Sequence, residues 1–158
     1  MHTSSGKTRL VSIGIAAALA MLAGCAGNQQ GTSRGGSQGM RGGMDHGVHL
    51  DLTGANEVPP VTTQASGMGM IMVGTDRSIS GKVMTMSLGG TMAHIHQAAA
   101  GQNGPVIITL EKSGNQWLVP SGAILTEAQY AAYKEGKLYV NVHTEADKGG
   151  EVRAQLRP

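Results

Sequence analysis

Short runs in which apolar and polar residues alternate are the feature of this chain that most restricts its fold. In the run 138–143, leucine and valine alternate with tyrosine, asparagine and histidine. Because side chains along a β-strand point to opposite faces with a period of two, this run predicts a strand with one apolar and one polar face. Similar runs recur between turn residues, at 48–53, 64–73, 79–88, 92–97, 105–112, 116–119 and 151–156. Many short strands of this kind predict an antiparallel, Greek-key-like β-sandwich or barrel.

One short helix is expected among these strands. Thr126 is a suitable N-cap, Glu127 follows in the first turn, and Gly136 can end the helix. The predicted fold class is therefore all-β with one short helix.

The first 25 residues are typical of an export signal. Lys7 and Arg9 form a basic start, and the apolar run 10–23 is too short to span a bilayer. The residues Ala23-Gly24-Cys25 that end this run look like a bacterial lipobox, in which the cysteine is lipidated and becomes the new N-terminus. Cys25 is the single cysteine of the chain, so no disulfide can form within it. The alternative is a free thiol within a longer signal.

Residues 26–47 are rich in Gly, Ser, Gln, Arg and Met and lack apolar periodicity, which is typical of a flexible tether. Residues 48–158 then form one domain of ordinary size. Lipidation of Cys25 is expected to hold the exported protein in membrane lipid, anchored in the cell envelope. Ala26 occupies the position where an aspartate is associated with inner-membrane retention, so we expect the outer membrane if the organism has two.

The charge balance of the chain argues against a nucleic-acid partner. There are 12 Lys and Arg residues, of which Lys7 and Arg9 lie in the export signal, so ten basic residues balance 10 Asp and Glu residues in the rest. Aromatic residues make up only 3% of the chain. It therefore lacks both the phosphate-neutralising charge and the stacking platforms that nucleic-acid binding needs.

Three histidines on two predicted strands suggest a metal site. His94 and His96 point to the same face of one strand, and His143 lies on the polar face of another. If the two strands are neighbours, three imidazoles converge. Three neutral imidazoles suit copper or zinc and leave a position open for water or substrate, and the affinity order favours copper. The alternative is surface or hydrogen-bonded histidines without metal.

Parity predicts how the last two strands pair. Residues directly opposite each other on an antiparallel ladder share a face, so Val142 is expected to pair with Val152. This pairing places Glu151 opposite His143, and Asn141 opposite Arg153. A carboxylate beside a ligating histidine commonly fixes its tautomer. A solvated Glu151 on an exposed face is the alternative.

The remaining histidines and the methionines allow further metal contacts. His46 and His49 lie at the boundary of the tether and could add ligands or bind a metal on their own. Thioethers suit Cu(I). However, five methionines occur at period-two spacing in a chain with no Phe, so we expect them to fill the core. These are Met68, Met70, Met72, Met84 and Met86.

Several motifs in order resemble the chordin domain (CHRD) family. They are Leu52-Thr53-Gly54-Ala55-Asn56-Glu57-Val58-Pro59-Pro60, then His94-Ile95-His96 with Gly104-Pro105-Val106, then the run 138–144 followed by Gly150-Glu151-Val152-Arg153. The resemblance covers about residues 48 to 157. It implies a secreted or surface-anchored β domain whose biochemical role is poorly defined.

A weaker resemblance concerns chemistry. The His94-x-His96 pair, and His143 followed by the acidic, glycine-rich run 145–150, are similar to the copper site of copper/zinc superoxide dismutases. This resemblance implies that the three histidines are copper ligands and that superoxide or another small anion is the partner. It suggests the anion-guiding role for Arg153, although the position in the chain differs. The bridging histidine, the zinc site and the disulfide have no counterpart, as in copper-only variants.

Three classes of function remain open from the sequence. The first is a copper oxidoreductase that dismutes superoxide at the three histidines. The second is a copper-buffering lipoprotein with the same ligands and no turnover. The third is a metal-free adhesion or interaction module with an unknown protein partner.

Overall fold

The computed structural model describes residues 47–158, and within this range the chain forms an antiparallel sheet of nine strands. The prediction of an all-β fold with one short α-helix is confirmed. The strands are β1 Val48–Thr53, β2 Ser66–Val73, β3 Ile79–Met86, β4 Met92–Gln97, β5 Val106–Thr109, β6 Glu111–Ser113, β7 Gln116–Leu118, β8 Leu138–His143 and β9 Val152–Leu156. A 3-10 turn, Gly54–Asn56, follows β1, and the helix α1 covers Glu127–Lys134.

The order of the strands nearly closes the sheet into a barrel. Neighbouring strands follow the order β5-β4-β8-β9-β1-β2-β3-β7-β6, so two strands that are adjacent in sequence lie at opposite edges. We predicted one strand over 105–112, and this is wrong: the run breaks at the buried Leu110. Its first half pairs with β4 and its second half with β7. The chain thus passes from one edge to the other within a few residues.

The interior of the barrel contains the apolar face of each strand. Leu138, Val140 and Val142 of β8 are fully buried there, together with Ile95 of β4. Trp117, which is 2% exposed, is the largest of the fully buried side chains in the described range. Every strand pair and this core lie within residues 47–158, so this segment is expected to fold by itself.

The methionines of β2 and β3 do not lie in this core, contrary to our prediction. Their side chains are 36 to 51% exposed on the outer face of the barrel. The alternation along β2 was predicted correctly, but the inner face is the one that carries Gly67, Gly69 and Ile71. A Cβ atom on Gly69 would collide with the carbonyl oxygen of Lys82 and lie 2.7 Å from the Cα atom of Val83. The space inside β2 is therefore too narrow for methionine.

The helix begins as its sequence predicts. The hydroxyl of Thr126 accepts a hydrogen bond from the Gln129 amide at 3.2 Å, and the Gln129 side chain accepts one from the Thr126 amide at 2.8 Å. This reciprocal capping satisfies two donors that a helix start leaves free. Gly136, with φ of +66°, ends the helix. Within the described range, no helix is both long and apolar enough to cross a membrane.

The predicted register of the last two strands is also confirmed. Val142 pairs with Val152, and Asn141 pairs with Arg153. On its other side, β8 pairs with β4, which places His94 opposite Asn141. The polar face of β8 therefore lies between the histidine pair of β4 and the polar residues of β9.

Replacing Gly69 with alanine should destabilise the barrel, because the new Cβ would meet backbone atoms of β3 that cannot move aside. We expect the free energy of unfolding of Gly69→Ala to fall by about 1–3 kcal/mol, as for other overpacked sites. Urea denaturation followed by circular dichroism measures it. Gly89→Ala is the matched control, since nothing lies within 4 Å of its Cβ position. Equal losses in the two variants would contradict the explanation.

Candidate metal centre

The pairing of β4 with β8 brings three histidines together. His96 pairs with Tyr139 and Met92 with His143, so the even-numbered residues of β4 and the odd-numbered residues of β8 share the outer face. One ring nitrogen from each of His94, His96 and His143 lies within 4.8 Å of the others. The convergence that we expected from the sequence is therefore present in the structure.

Backbone carbonyls fix the ring orientation of two of these histidines. Nδ1 of His96 donates to the carbonyl of Gly104 at 2.9 Å, and Nδ1 of His143 donates to the carbonyl of Lys148 at 2.9 Å. Since a carbonyl can only accept, each Nδ1 carries the proton and each Nε2 keeps its lone pair. Metal-binding histidines almost always donate their second nitrogen in this way.

Two ring nitrogens of the site share a hydrogen bond, in which Nδ1 of His94 donates because Nε2 of His143 keeps its lone pair. Nδ1 of His94 lies 2.9 Å from Nε2 of His143. Two nitrogens bound to one metal at about 2.0–2.1 Å lie about 3 Å apart, so this separation is close to that of two ligands on one ion. Nε2 of His96 is buried and has no hydrogen-bond partner among residues 47–158. A buried acceptor left without a partner costs free energy, and a metal would satisfy it.

Burial keeps the three imidazoles neutral. It is the largest cause that lowers the pKa of His94 to about 4, and the neighbouring His143 and His96 lower it further. Burial also lowers the pKa of His96 and of His143, against the opposing effect of their carbonyl partners. Because a metal competes with protons for these nitrogens, the arrangement favours the form that binds metal.

The structure gives Glu151 a different role from the one predicted. Its carboxylate accepts hydrogen bonds from the hydroxyls of Thr63 at 2.6 Å and Thr144 at 2.8 Å, and not from His143. The group that orients His143 is instead the Lys148 carbonyl. Glu151 holds the start of the loop that presents this carbonyl, because it fixes Thr144, which also accepts from the Asp147 amide.

Asn141 connects the histidines with a buried carboxyl group. Its amide donates to the carbonyl of Gly149 at 3.2 Å, and its side chain faces both His96 and Glu57. Glu57 is only 4% exposed, and burial raises its pKa to about 7 even though the charge of Arg153 lowers it. We did not single out Glu57 as a site residue, although it lies in the first motif quoted above. A single acidic residue after a turn carries no signal that it is buried.

Arg153 lies behind the site and not in an open channel. It is 1% exposed, and its guanidinium donates to Asn103, to the carbonyl of Gln102 and to Gln155. The guanidinium lies 3.4 Å from the centre of the Tyr139 ring, and this ring stacks on His96 from the neighbouring strand. This placement does not favour the anion-guiding role suggested for Arg153. The residue instead holds the loop that carries the Gly104 carbonyl.

The other predicted site residues lie apart from this cluster or outside the described range. His49 is exposed on the outer face of β1, which is separated from β4 by β8 and β9. Among the described residues, His94, His96 and His143 form the group of metal-ligand side chains, and His49 is not part of it. His46 and Cys25 fall outside residues 47–158.

The raised pKa of Glu57 predicts a pH-dependent effect of Glu57→Gln. The folded protein keeps the Glu57 proton up to about pH 7, whereas the unfolded chain loses it near 4.5. The stability that Glu57 contributes is therefore complete below the lower value and is lost as the pH rises through the higher one. Relative to the wild type, Glu57→Gln should gain roughly 2 kcal/mol of unfolding free energy between about pH 5 and about pH 8. Urea unfolding at both pH values measures this, and a constant difference would contradict it.

Comparison with known proteins supports the first resemblance found in the sequence. The profile of the CHRD domain matches residues 48–156, which is more than half of the chain. No curated protein and no solved structure is significantly similar to the chain. The match spans all nine strands, the helix and the three histidines. On this evidence the chain belongs to the CHRD domain family.

Proposed function

We propose that this CHRD domain binds a copper ion through Nδ1 of His94, Nε2 of His96 and Nε2 of His143. The observation that carries the proposal is the buried, unpaired Nε2 of His96, in a cluster where one ring nitrogen of each histidine lies within 4.8 Å of the others. Metal binding would release the proton that Nδ1 of His94 donates to Nε2 of His143. A purely structural cluster would gain nothing from keeping this acceptor without a partner.

Copper is the metal that the ligands favour. Three imidazoles suit either copper or zinc, and copper binds more strongly to a given set of nitrogen ligands. An exported protein meets copper outside the cytosol, and zinc is the alternative. The Gly104 and Lys148 carbonyls take the place of the carboxylates that often orient metal-binding histidines.

Calorimetric titration of residues 47–158 with Cu(II) and with Zn(II) tests the proposal. We expect one equivalent of copper to bind the wild type, more tightly than zinc, and no such binding in the double variant His94→Ala/His143→Ala. His49→Ala is the control for the Cu(II) site, because it removes an exposed imidazole of β1, which β9 separates from β8, and it should leave binding at the three histidines unchanged. Circular dichroism confirms that each variant is folded. Copper binding that survives the double substitution would refute the proposed ligands.

We extend the proposal to superoxide as a substrate. Three protein ligands leave a position open on a metal, and the partly exposed His94 keeps the cluster accessible to a small anion. A copper ion there would supply one-electron redox chemistry. In the titrated, copper-loaded samples, faster superoxide decay than in the double variant supports dismutation. Tight copper binding with unchanged superoxide decay indicates copper buffering. If the protein neither binds copper nor speeds the decay, an interaction module remains as its function.

We further propose that a lipid on Cys25 anchors the protein in the cell envelope, with residues 26–47 as the tether. The proposal rests on the basic start, the apolar run and the small residues that precede Cys25. Cells that express the full chain and are fed an alkyne fatty acid should label the wild type and not Cys25→Ser. The wild type should remain with membranes after a high-salt wash, whereas Cys25→Ser is released or accumulates unprocessed. Equal labelling of both proteins would contradict the assignment.

A further inference from the structure

A second group of metal-ligand atoms lies on the outer face of the barrel, apart from the three histidines. Met68, Met70 and Met72 of β2 and Met84 of β3 form what we call the methionine face, and His49 of β1 borders it. Together they line an open groove of about 730 Å³. The proposed copper site involves none of these residues.

The strand register places these side chains within reach of one another. His49 pairs directly with Met70, and Met68 pairs directly with Met84. Directly opposed residues have Cβ atoms about 4.5–5.5 Å apart, and diagonal neighbours such as Met70 and Met84 lie about 7–8 Å apart. Methionine side chains are long and rotate about three bonds, so their sulfur atoms can meet at one ion.

Met70 already lies on the side of β1. A Cβ atom on Gly47 would be 2.6 Å from both Cγ and Sδ of Met70, so the thioether packs against the backbone two residues before His49. This contact holds the sulfur near the strand that carries the imidazole. The thioether of Met70 therefore lies on the side of the groove that His49 lines.

The choice of methionine on this face favours sulfur chemistry over simple apolar contact. The large exposed apolar residues of β2 and β3 are all methionine, whereas the others in the described range, Met92, Val106 and Ile124, lie elsewhere. Strands favour β-branched and aromatic residues, so valine or isoleucine would provide an apolar surface with better strand propensity. Only methionine among these residues provides a soft ligand.

The charges around the groove permit a cation. Asp51 of β1 lines it and pairs directly with Met68. Lys82 is the basic residue of the lining, and its ammonium donates to the side chain of Gln116 at 3.1 Å. The ammonium is therefore drawn toward β7, where Gln116 pairs with Met84, and away from His49 and Asp51 of β1.

We propose that Met68, Met70 and Met84 with His49 bind a soft monovalent cation of the Cu(I) class. Thioethers select Cu(I) over divalent ions, and one imidazole adds a stronger donor. Met72, two residues beyond Met70 and on the same face of β2, can replace one of the sulfurs. The site does not depend on metal binding by His94, His96 and His143.

Silver(I), a soft monovalent cation that is not reduced or oxidised under the conditions, is the probe. We expect one equivalent of Ag(I) to shift the methyl resonances of Met68, Met70 and Met84 in residues 47–158 labelled with [methyl-13C]methionine. The triple variant Met68→Leu/Met70→Leu/Met84→Leu should have an affinity for Ag(I) that is lower by about tenfold or more. Leucine conserves the side-chain volume, so the fold should persist. Met86→Leu is the matched control, since Met86 is exposed on β3 but does not line the groove.

The outcomes separate this site from the copper site. Cu(II) titration of the triple leucine variant should match the wild type, because its three histidines are intact. Ag(I) shifts that spare the methionine face and appear only at Met92, which pairs with His143, would overturn the proposal and assign the silver to the histidine cluster. Equal Ag(I) affinity of the wild type and the triple variant would also overturn it and leave an apolar surface.

Discussion

The antiparallel pairing of β4 with β8 is the constraint on which the candidate site depends. It sets His94 opposite Asn141 and His96 opposite Tyr139, so that alternation on two strands becomes a cluster of imidazoles on one face. A slip of one residue in this register would turn the polar face of β8 into the barrel. Val140 and Val142 prevent the slip, because both are fully buried and have no place on the outside. The apolar core therefore determines the geometry of the polar site.

A second layer of contacts supports the site from behind. Tyr139 stacks on His96, and Arg153 lies over the Tyr139 ring from the neighbouring strand. Arg153 also holds the loop whose Gly104 carbonyl accepts a hydrogen bond from His96. A buried guanidinium is costly unless its donors are satisfied, and here carbonyl and side-chain amide oxygens satisfy them. The cost of burying Arg153 and Glu57 is consistent with a site that must keep its rings in fixed positions.

Much of the fold follows from local rules, and the predictions that were wrong have physical reasons. Parity and the apolar pattern predicted the Val142–Val152 pairing, and the Thr126 cap predicted the helix. Alternation along β2 separated its two faces correctly, but hydrophobicity alone could not show which face lies inside. Steric space determines which face lies inside, since only a glycine at position 69 fits against the β3 backbone. The break at Leu110 depends on partners at the two edges of the sheet, which no local pattern contains.

The sequence predicted the three histidines of the candidate site. It did not predict the backbone carbonyls that orient two of their rings. His94, His96 and His143 are visible as side chains at strand spacing, whereas the Gly104 and Lys148 carbonyls belong to loops that any residue type could form. The same difference distinguishes the two proposed metal sites. Carbonyl bonds fix two rings of the histidine cluster before a metal arrives, so binding there immobilises little. Each exposed methionine must be ordered on binding, at about 0.5–1.5 kcal/mol per side chain. The histidine cluster is therefore suited to retain its metal, and the methionine face to exchange it.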